Sequence, residues 1–296
     1  MVSRGFRSLL MLAAAVVASA PLMAQDALAW KFTAGEKLLY VVQQKTDQQL
    51  DFSGKKQGVS MQQTMHMGWN IADVSSNGDA QMSQVIEKIA MKSEGGPAGS
   101  FEYDSTAATP PESPLGRIMS DAFGKIIGQE FPMTMKPSGK ITKVTVPEGL
   151  LKSLAQAGAA GNAINEDTLK QMMTQSAITL PETPVKKGDS WETKQSVELP
   201  FGTMTVSSKL TYQGVDSSSG MARIDMKPSI NMTAKEGVPL SLNVVKSEGK
   251  GTVLFDTAKG RIARSDLNVT MEMVVKQFGQ TVNQTLKQET SMVLSP

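Results

Sequence analysis

The sequence predicts a mostly β, β-rich α+β protein: one or more long, curved antiparallel sheets from two related β meanders, with a few amphipathic helices in the middle of the chain. Three observations lead there. Apolar and polar residues alternate with period two over several long runs, which puts every second side chain on one face of a strand. Turn-forming pairs, Asn77-Gly78, Ser138-Gly139, Ser219-Gly220 and Lys259-Gly260, lie between such runs, and short turns between consecutive strands make antiparallel hairpins. Finally, the two halves of the chain echo each other.

Residues 1–29 have the layout of a secretory leader. Arg4 and Arg7 make a positive start, Leu9 to Ala20 is apolar or small, and Ala27-Leu28-Ala29 offers a small-x-small cleavage site, with Ala24 as an alternative. Pro21 blocks cleavage directly after Ala20. The apolar run is shorter than the roughly 20 residues that a membrane helix needs. Cleavage after Ala29 starts the mature chain at Trp30, and with no cysteine there is no acylation site to hold it on a membrane. The expected location is periplasmic or secreted, with no transmembrane segment in the mature chain.

Residues 30–147 are read as the first meander with a loop and helix insertion, 148–180 as a helical connection and 181–296 as the second meander. Phe32-Thr33-Ala34-Gly35-Glu36 matches Val185-Lys186-Lys187-Gly188-Asp189. Trp69 to Gln81 parallels Leu210 to Arg223, and Phe131 to Val146 parallels Val253 to Val269. Ser93 to Gly99 and Ser105 to Pro114 are Gly-, Pro-, Ser- and Thr-rich and read as loops. Leu115 to Ile127 has helical spacing. Pro147 is placed to open a short helix carrying Leu150, Leu151 and Leu154. Ala157 to Ala163 is small, and Asn165 is placed to cap a helix through Leu169, Met172 and Met173. In the second meander Met204, Val206, Leu210 and Tyr212 share one face. Ala222, Ile224, Met226, Ile230 and Met232 form another such row, and Leu267, Val269, Met271, Met273 and Val275 a third.

Composition removes several function classes. The leader takes two of the 30 basic residues and one of the 28 acidic ones, leaving 28 against 27, so the chain lacks the basic excess of a nucleic-acid binder. One histidine and no cysteine leave no material for a thiol nucleophile or a His/Cys zinc site. The sequence carries no phosphate-binding loop, dinucleotide fingerprint or nucleophile elbow. No catalytic residue, metal or cofactor is expected. Met61, Met65, His66 and Met67 resemble a soft-metal set, but strand alternation puts His66 opposite the three methionines, and Met is a common core filler. Glu102 with Asp104, and Glu36 with Asp189, read as solvated carboxylates. A transmembrane barrel would need aromatic girdles, and aromatics make up only 5% of the chain.

The segments Trp30-Lys31-Phe32 with Gly35-Glu36, Lys187-Gly188-Asp189 with Trp191, Pro200-Phe201-Gly202-Thr203-Met204 and Gly249-Lys250-Gly251-Thr252 resemble a family of exported bacterial proteins known only as a domain of unknown function. A curled sheet with covering helices also resembles, in architecture, the half-barrel of periplasmic lipoprotein carriers. These readings point to a non-catalytic binder of a lipid or acyl chain. Its expected apolar face comprises Leu210, Tyr212, Met226, Met232, Leu267, Met271, Met273 and Phe123, with a lipid or lipoprotein, or another envelope protein, as partner. The alternative is a protein-interaction or structural module of the envelope with a solid core and no small ligand.

Overall fold

The computed structural model describes residues 26–296 except 53, 97–98, 110, 151–169, 171–172, 174–177, 200, 239 and 278–279. Residues 1–25, Leu151, Leu154, the Ala157–Ala163 stretch, and Asn165, Leu169 and Met172 of the expected middle helix lie outside the described residues.

Twelve strands form one antiparallel sheet. They are β1 (Lys37–Phe52), β2 (Lys55–Val74), β3 (Ala80–Gly95), β4 (Phe101–Asp104), β5 (Glu130–Met135), β6 (Ile141–Val144), β7 (Ser190–Leu199), β8 (Gly202–Val215), β9 (Ala222–Ala234), β10 (Leu240–Asp256), β11 (Arg261–Gln277) and β12 (Gln280–Leu294). The order across the sheet is β6-β5-β3-β2-β1-β12-β11-β10-β9-β8-β7, with β4 also on β3. Two meanders thus lie side by side in a single layer. β12 joins them, pairing with β11 on one side and with β1 on the other. The sheet stays open, with β7 at one edge and β6 and β4 at the other.

Matching backbone hydrogen bonds support the kinship of the two meanders. The Gly35 N–H donates to Ile71 O, and that of Gly188 to Tyr212 O. The Ile71 N–H returns to Glu36 O, and that of Tyr212 to Asp189 O. A bulge follows on each strand, between Ile71 and Asp73 on β2 and between Tyr212 and Gly214 on β8. A bulge strengthens local twist, so both meanders curl at this end.

The main core fills that curled end. Trp30, Tyr40, Trp69, Leu210, Tyr212, Ile224, Val253 and Phe255 are all nearly or fully buried there. Trp30 stands edge-on to Phe255 at 5.8 Å and tilts over Trp69 at 5.5 Å, separations at which aromatic pairs add to simple area burial. The Trp30 indole crosses Gly139, whose φ of 82° suits glycine. A Cβ on Gly139 would lie 2.2 Å from Ile178 O and 2.8 Å from Trp30 Nε1. Burial pushes the Tyr40 phenol well above its usual range, so it stays protonated and donates to Ile262 O at 3.2 Å.

One helix, α1 (Pro114–Phe123), is capped by Ser113, whose Oγ accepts from the Gly116 N–H at 3.0 Å. It is shorter than the spacing predicts. The Ile126 and Ile127 amides both fold back onto Phe123 O, and Gly128 at φ 76° turns the chain into β5. A helical turn over 148–150 follows Pro147, as its sequence predicts.

Candidate functional site: a largely uncharged inner face

Registers fix which side chains share the face of Tyr40, here called the inner face. Tyr40 aligns with Met67 and Leu294, and from there the register runs across every strand to Trp191 on β7 and Ile141 on β6. Among the described residues, the paired positions on this face carry one charged side chain, the exposed Lys55 opposite Phe52 at the tip of the β1–β2 hairpin, and no Arg, His, Asp or Glu. The other charged residues of the paired strands stand on the outer face, where exposed ion pairs two residues apart line single strands: Lys45–Asp47, Lys92–Glu94, Arg223–Asp225, Lys246–Glu248 and Arg264–Asp266. Such exposed pairs contribute little to stability. Their consequence is a sheet that is ionic almost entirely on one side.

The inner face has three parts beyond the main core. Over the first meander, Ile89, Met91, Phe101 and Tyr103 form a second cluster, covered by Met119 and Phe123 of α1 and by Ile127. Phe123 stacks on Tyr103 at 5.9 Å. Over the second meander, Met204, Val206, Ile230, Leu240, Leu242, Val244, Leu267 and Met271 are only half-buried, and no described helix packs on them. Between these regions runs a polar seam. Gln44 faces Thr290 and Thr46 faces Gln288 across the β1–β12 pair. Gln44 Nε2 donates to Thr46 Oγ1 at 3.3 Å, and Gln288 Nε2 to Thr290 Oγ1 at 3.2 Å.

The expected face residues divide accordingly. Leu210 and Tyr212 lie in the closed core at 1% exposure, and Met226 packs against it. Met232 and Met273 are buried, while Leu267 and Met271 are half-buried on the open part. Phe123 belongs to the other meander, on α1. The sequence reading passed over Gln44, Thr46, Gln288 and Thr290, because Gln and Thr resemble solvent-facing residues. Carrying the alternation on from Tyr40 and Val42 to Gln44 and Thr46 is the signal that finds them.

The β9–β10 ladder is short. It pairs Ala222–Met226 with Gly251–Phe255 and goes no further, since Pro228 has no N–H to donate. The Pro228 ring packs over Gly249, where a Cβ would come within 2.3 Å of it. Beyond, the Ile230 N–H donates to the Ser247 hydroxyl at 2.9 Å instead of to a carbonyl.

The titratable residues weighed as sites have structural partners or point outward. Met61, Met65 and Met67 are on the inner face, and His66 is on the outer one, its pKa lowered by burial and by Lys88. Glu36 makes a two-pronged ion pair with Arg261, at 2.6 and 3.2 Å. Asp189 accepts from the Lys186 N–H at 3.0 Å. Asp104 accepts from the Thr106 N–H and hydroxyl, which lower its pKa. Glu102 stands opposite Lys92 on the outer face. The described residues contain no group of three or more His, Cys, Asp or Glu placed to hold a metal. No described helix is long and apolar enough to cross a membrane.

These features define an open, single-layer antiparallel sheet whose inner face is uncharged apart from Lys55 at the β1–β2 hairpin tip. The chain belongs to a family of unknown function (DUF6263), whose profile matches residues 77–262, more than half of the sequence. That span runs from the β2–β3 turn to the start of β11. No protein of curated function matches the chain. Among solved structures, one of lipovitellin, described for its lipid–protein interactions, is 10% identical with a TM-score of 0.52; the alignment covers 90% of this chain and 26% of that one. This chain therefore spans about a quarter of the lipovitellin chain, and the likeness is one of fold. An outer membrane channel from Pseudomonas putida F1 aligns at 7% identity and TM-score 0.27, covering 90% of this chain and 97% of that one. A domain from Vibrio parahaemolyticus described as outer membrane lipoprotein-sorting aligns at 10% identity and TM-score 0.13, covering 86% and 83%.

Proposed function

We propose that this is an exported, non-catalytic envelope protein that holds an apolar ligand, such as the acyl chain of a lipid or lipoprotein, against the inner face of its second meander. The observation that carries the reading is the uncharged, half-exposed apolar surface between the main core and the far ends of β8 to β11. A soluble protein rarely leaves so contiguous an apolar area to water without a use for it. Methionine suits such a surface because its flexible thioether fits irregular partners, and Met204, Met226 and Met271 stand on it. The fold shared with lipovitellin supports the same reading.

Magnitudes restrict the ligand. Each buried methylene contributes about 0.8 kcal/mol, whereas association costs about 4–15 kcal/mol in lost freedom. Short chains therefore fail, and a stretch of ten or more buried methylenes is required. The test is to purify the mature protein without detergent, extract it with organic solvent and identify the extract by mass spectrometry against a control envelope protein. A stoichiometric apolar molecule is expected. An empty extract, together with no uptake of added acyl lipid, would overturn the proposal.

A further inference from the structure

We infer that the ligand, on the reading just given, is an uncharged acyl ester or amide whose carbonyl sits on the Gln44–Thr46 and Gln288–Thr290 seam, and not a free fatty acid. The seam borders the open apolar surface, since Thr290 and Gln288 align with Leu267 and Val269 of β11. Each glutamine uses one amide N–H on the neighbouring threonine, and the amide group has a second N–H and a carbonyl oxygen to offer. This set donates to an ester or amide carbonyl and accepts from an alcohol or amide. It supplies no cation. A carboxylate or phosphate drawn onto this seam would lose hydration with no counter-charge in return, which is strongly unfavourable. A neutral carbonyl would exchange water for a glutamine N–H at little cost.

The test compares glycerol monooleate with oleate, below their aggregation concentrations and at about pH 8, on the full mature chain. Wild type is expected to bind the ester at least tenfold more tightly. The double variant Gln44→Leu/Gln288→Leu should narrow that preference to less than threefold without lowering the melting temperature, and Gln288→Lys should turn it towards oleate. Equal binding of ester and oleate by wild type would overturn this inference and leave the carrier reading standing. So would a double variant that keeps the tenfold preference. Binding of neither probe removes both.

A separate observation concerns leader processing, and the geometry points to cleavage after Ala24 instead of Ala29. Asp26 exchanges two backbone hydrogen bonds with Val185, at 2.8 and 2.9 Å, and its carboxylate accepts from the Tyr212 hydroxyl. Leu28 is 3% exposed within the main core. The Trp30 N–H donates to Pro137 O at 2.8 Å while Trp30 itself is 2% exposed. Cleavage after Ala29 would turn that amide into a charged amino terminus inside the core and discard Asp26 and Leu28. Protein exported with its own leader should have Gln25 as its first residue by intact mass and N-terminal sequencing. A Trp30 start, or a chain with its leader uncleaved, would overturn this assignment.

Discussion

The two meanders open on the same turn and bend at the same bulge, yet among the described residues one is lined by its own helix and the other is not. In the first, the connection from β3 to β5 holds β4 and α1, and Met119 and Phe123 close over Ile89, Met91 and Tyr103. In the second, residues 235–239 join β9 directly to β10, so the corresponding face has no cover from that connection. Among the described residues, nearly the same sheet serves as a core where this insertion covers it and as a half-exposed surface over β8 to β11. The described difference is the length of one connection.

The largest expected effect tests this contrast on the covered side. Phe123→Ala should lower stability by about 2 kcal/mol through the packing it removes under α1, while glycerol monooleate binding stays within twofold of wild type. Loss of binding in parallel with stability would show that the covered half also takes ligand. On the bare side, Met271→Asp should reverse the pattern: at least a tenfold loss of affinity, about 1.4 kcal/mol, with little change in melting temperature because the side chain is only half-buried. An unchanged affinity would place the ligand elsewhere.

The matching turns allow a finer comparison. Glu36 reaches Arg261 across the junction with the second meander, and the pair is largely shielded, at 26% and 13% side-chain exposure. Glu36→Gln should therefore destabilise by about 1–2 kcal/mol, while Asp189→Asn, where the carboxylate accepts from a backbone amide, should cost less, about 0.5 kcal/mol. Chemical denaturation of the two variants decides it, and equal losses would show that the ion pair adds nothing. The smallest effect concerns the β8–β9 turn, where Ser218 and Ser219 hydrogen bonds hold the Asp216 carboxyl at about 2, below its ordinary 3.8. A lowered pKa adds stability that is fully present above the ordinary value and lost as pH falls through the folded one. Asp216→Asn should thus flatten the fall in melting temperature between about pH 4 and about pH 2. At the matching turn of the first meander Ser75 occupies the equivalent place, and Ser75→Ala should leave the acid limb unchanged.

Much of this architecture is legible in the residues. Alternation in Thr203–Tyr212, Ala222–Met232 and Leu267–Val275 gives the strands and the correct inner row on each, because a half-buried strand has a period of two. The repeated turns were visible as Gly35-Glu36 and Gly188-Asp189. Pairing between distant strands was not, since nothing local in Tyr40 or Leu294 encodes their alignment across 254 residues. For the same reason the sequence left open whether two sheets close on each other or one remains open. The seam was hidden differently: Gln44 and Gln288 are polar residues on an apolar face, and only the register reveals which way they point. Phe123 was grouped with Met271 by character alone, and the topology separates them into different meanders.

The position of β12 bears on the timing of folding. β1 is among the first parts of the chain to be synthesised, and the partner along which it pairs from Tyr40 to Asp51 is the twelfth strand in chain order. Closing so long a loop carries an entropic cost that must be met before its contacts form, and such topologies fold slowly. Until β12 emerges, β1 and β11 both present bare edges and the two meanders have no shared strand. A polypeptide built this way becomes one body only when its final hairpin is laid down.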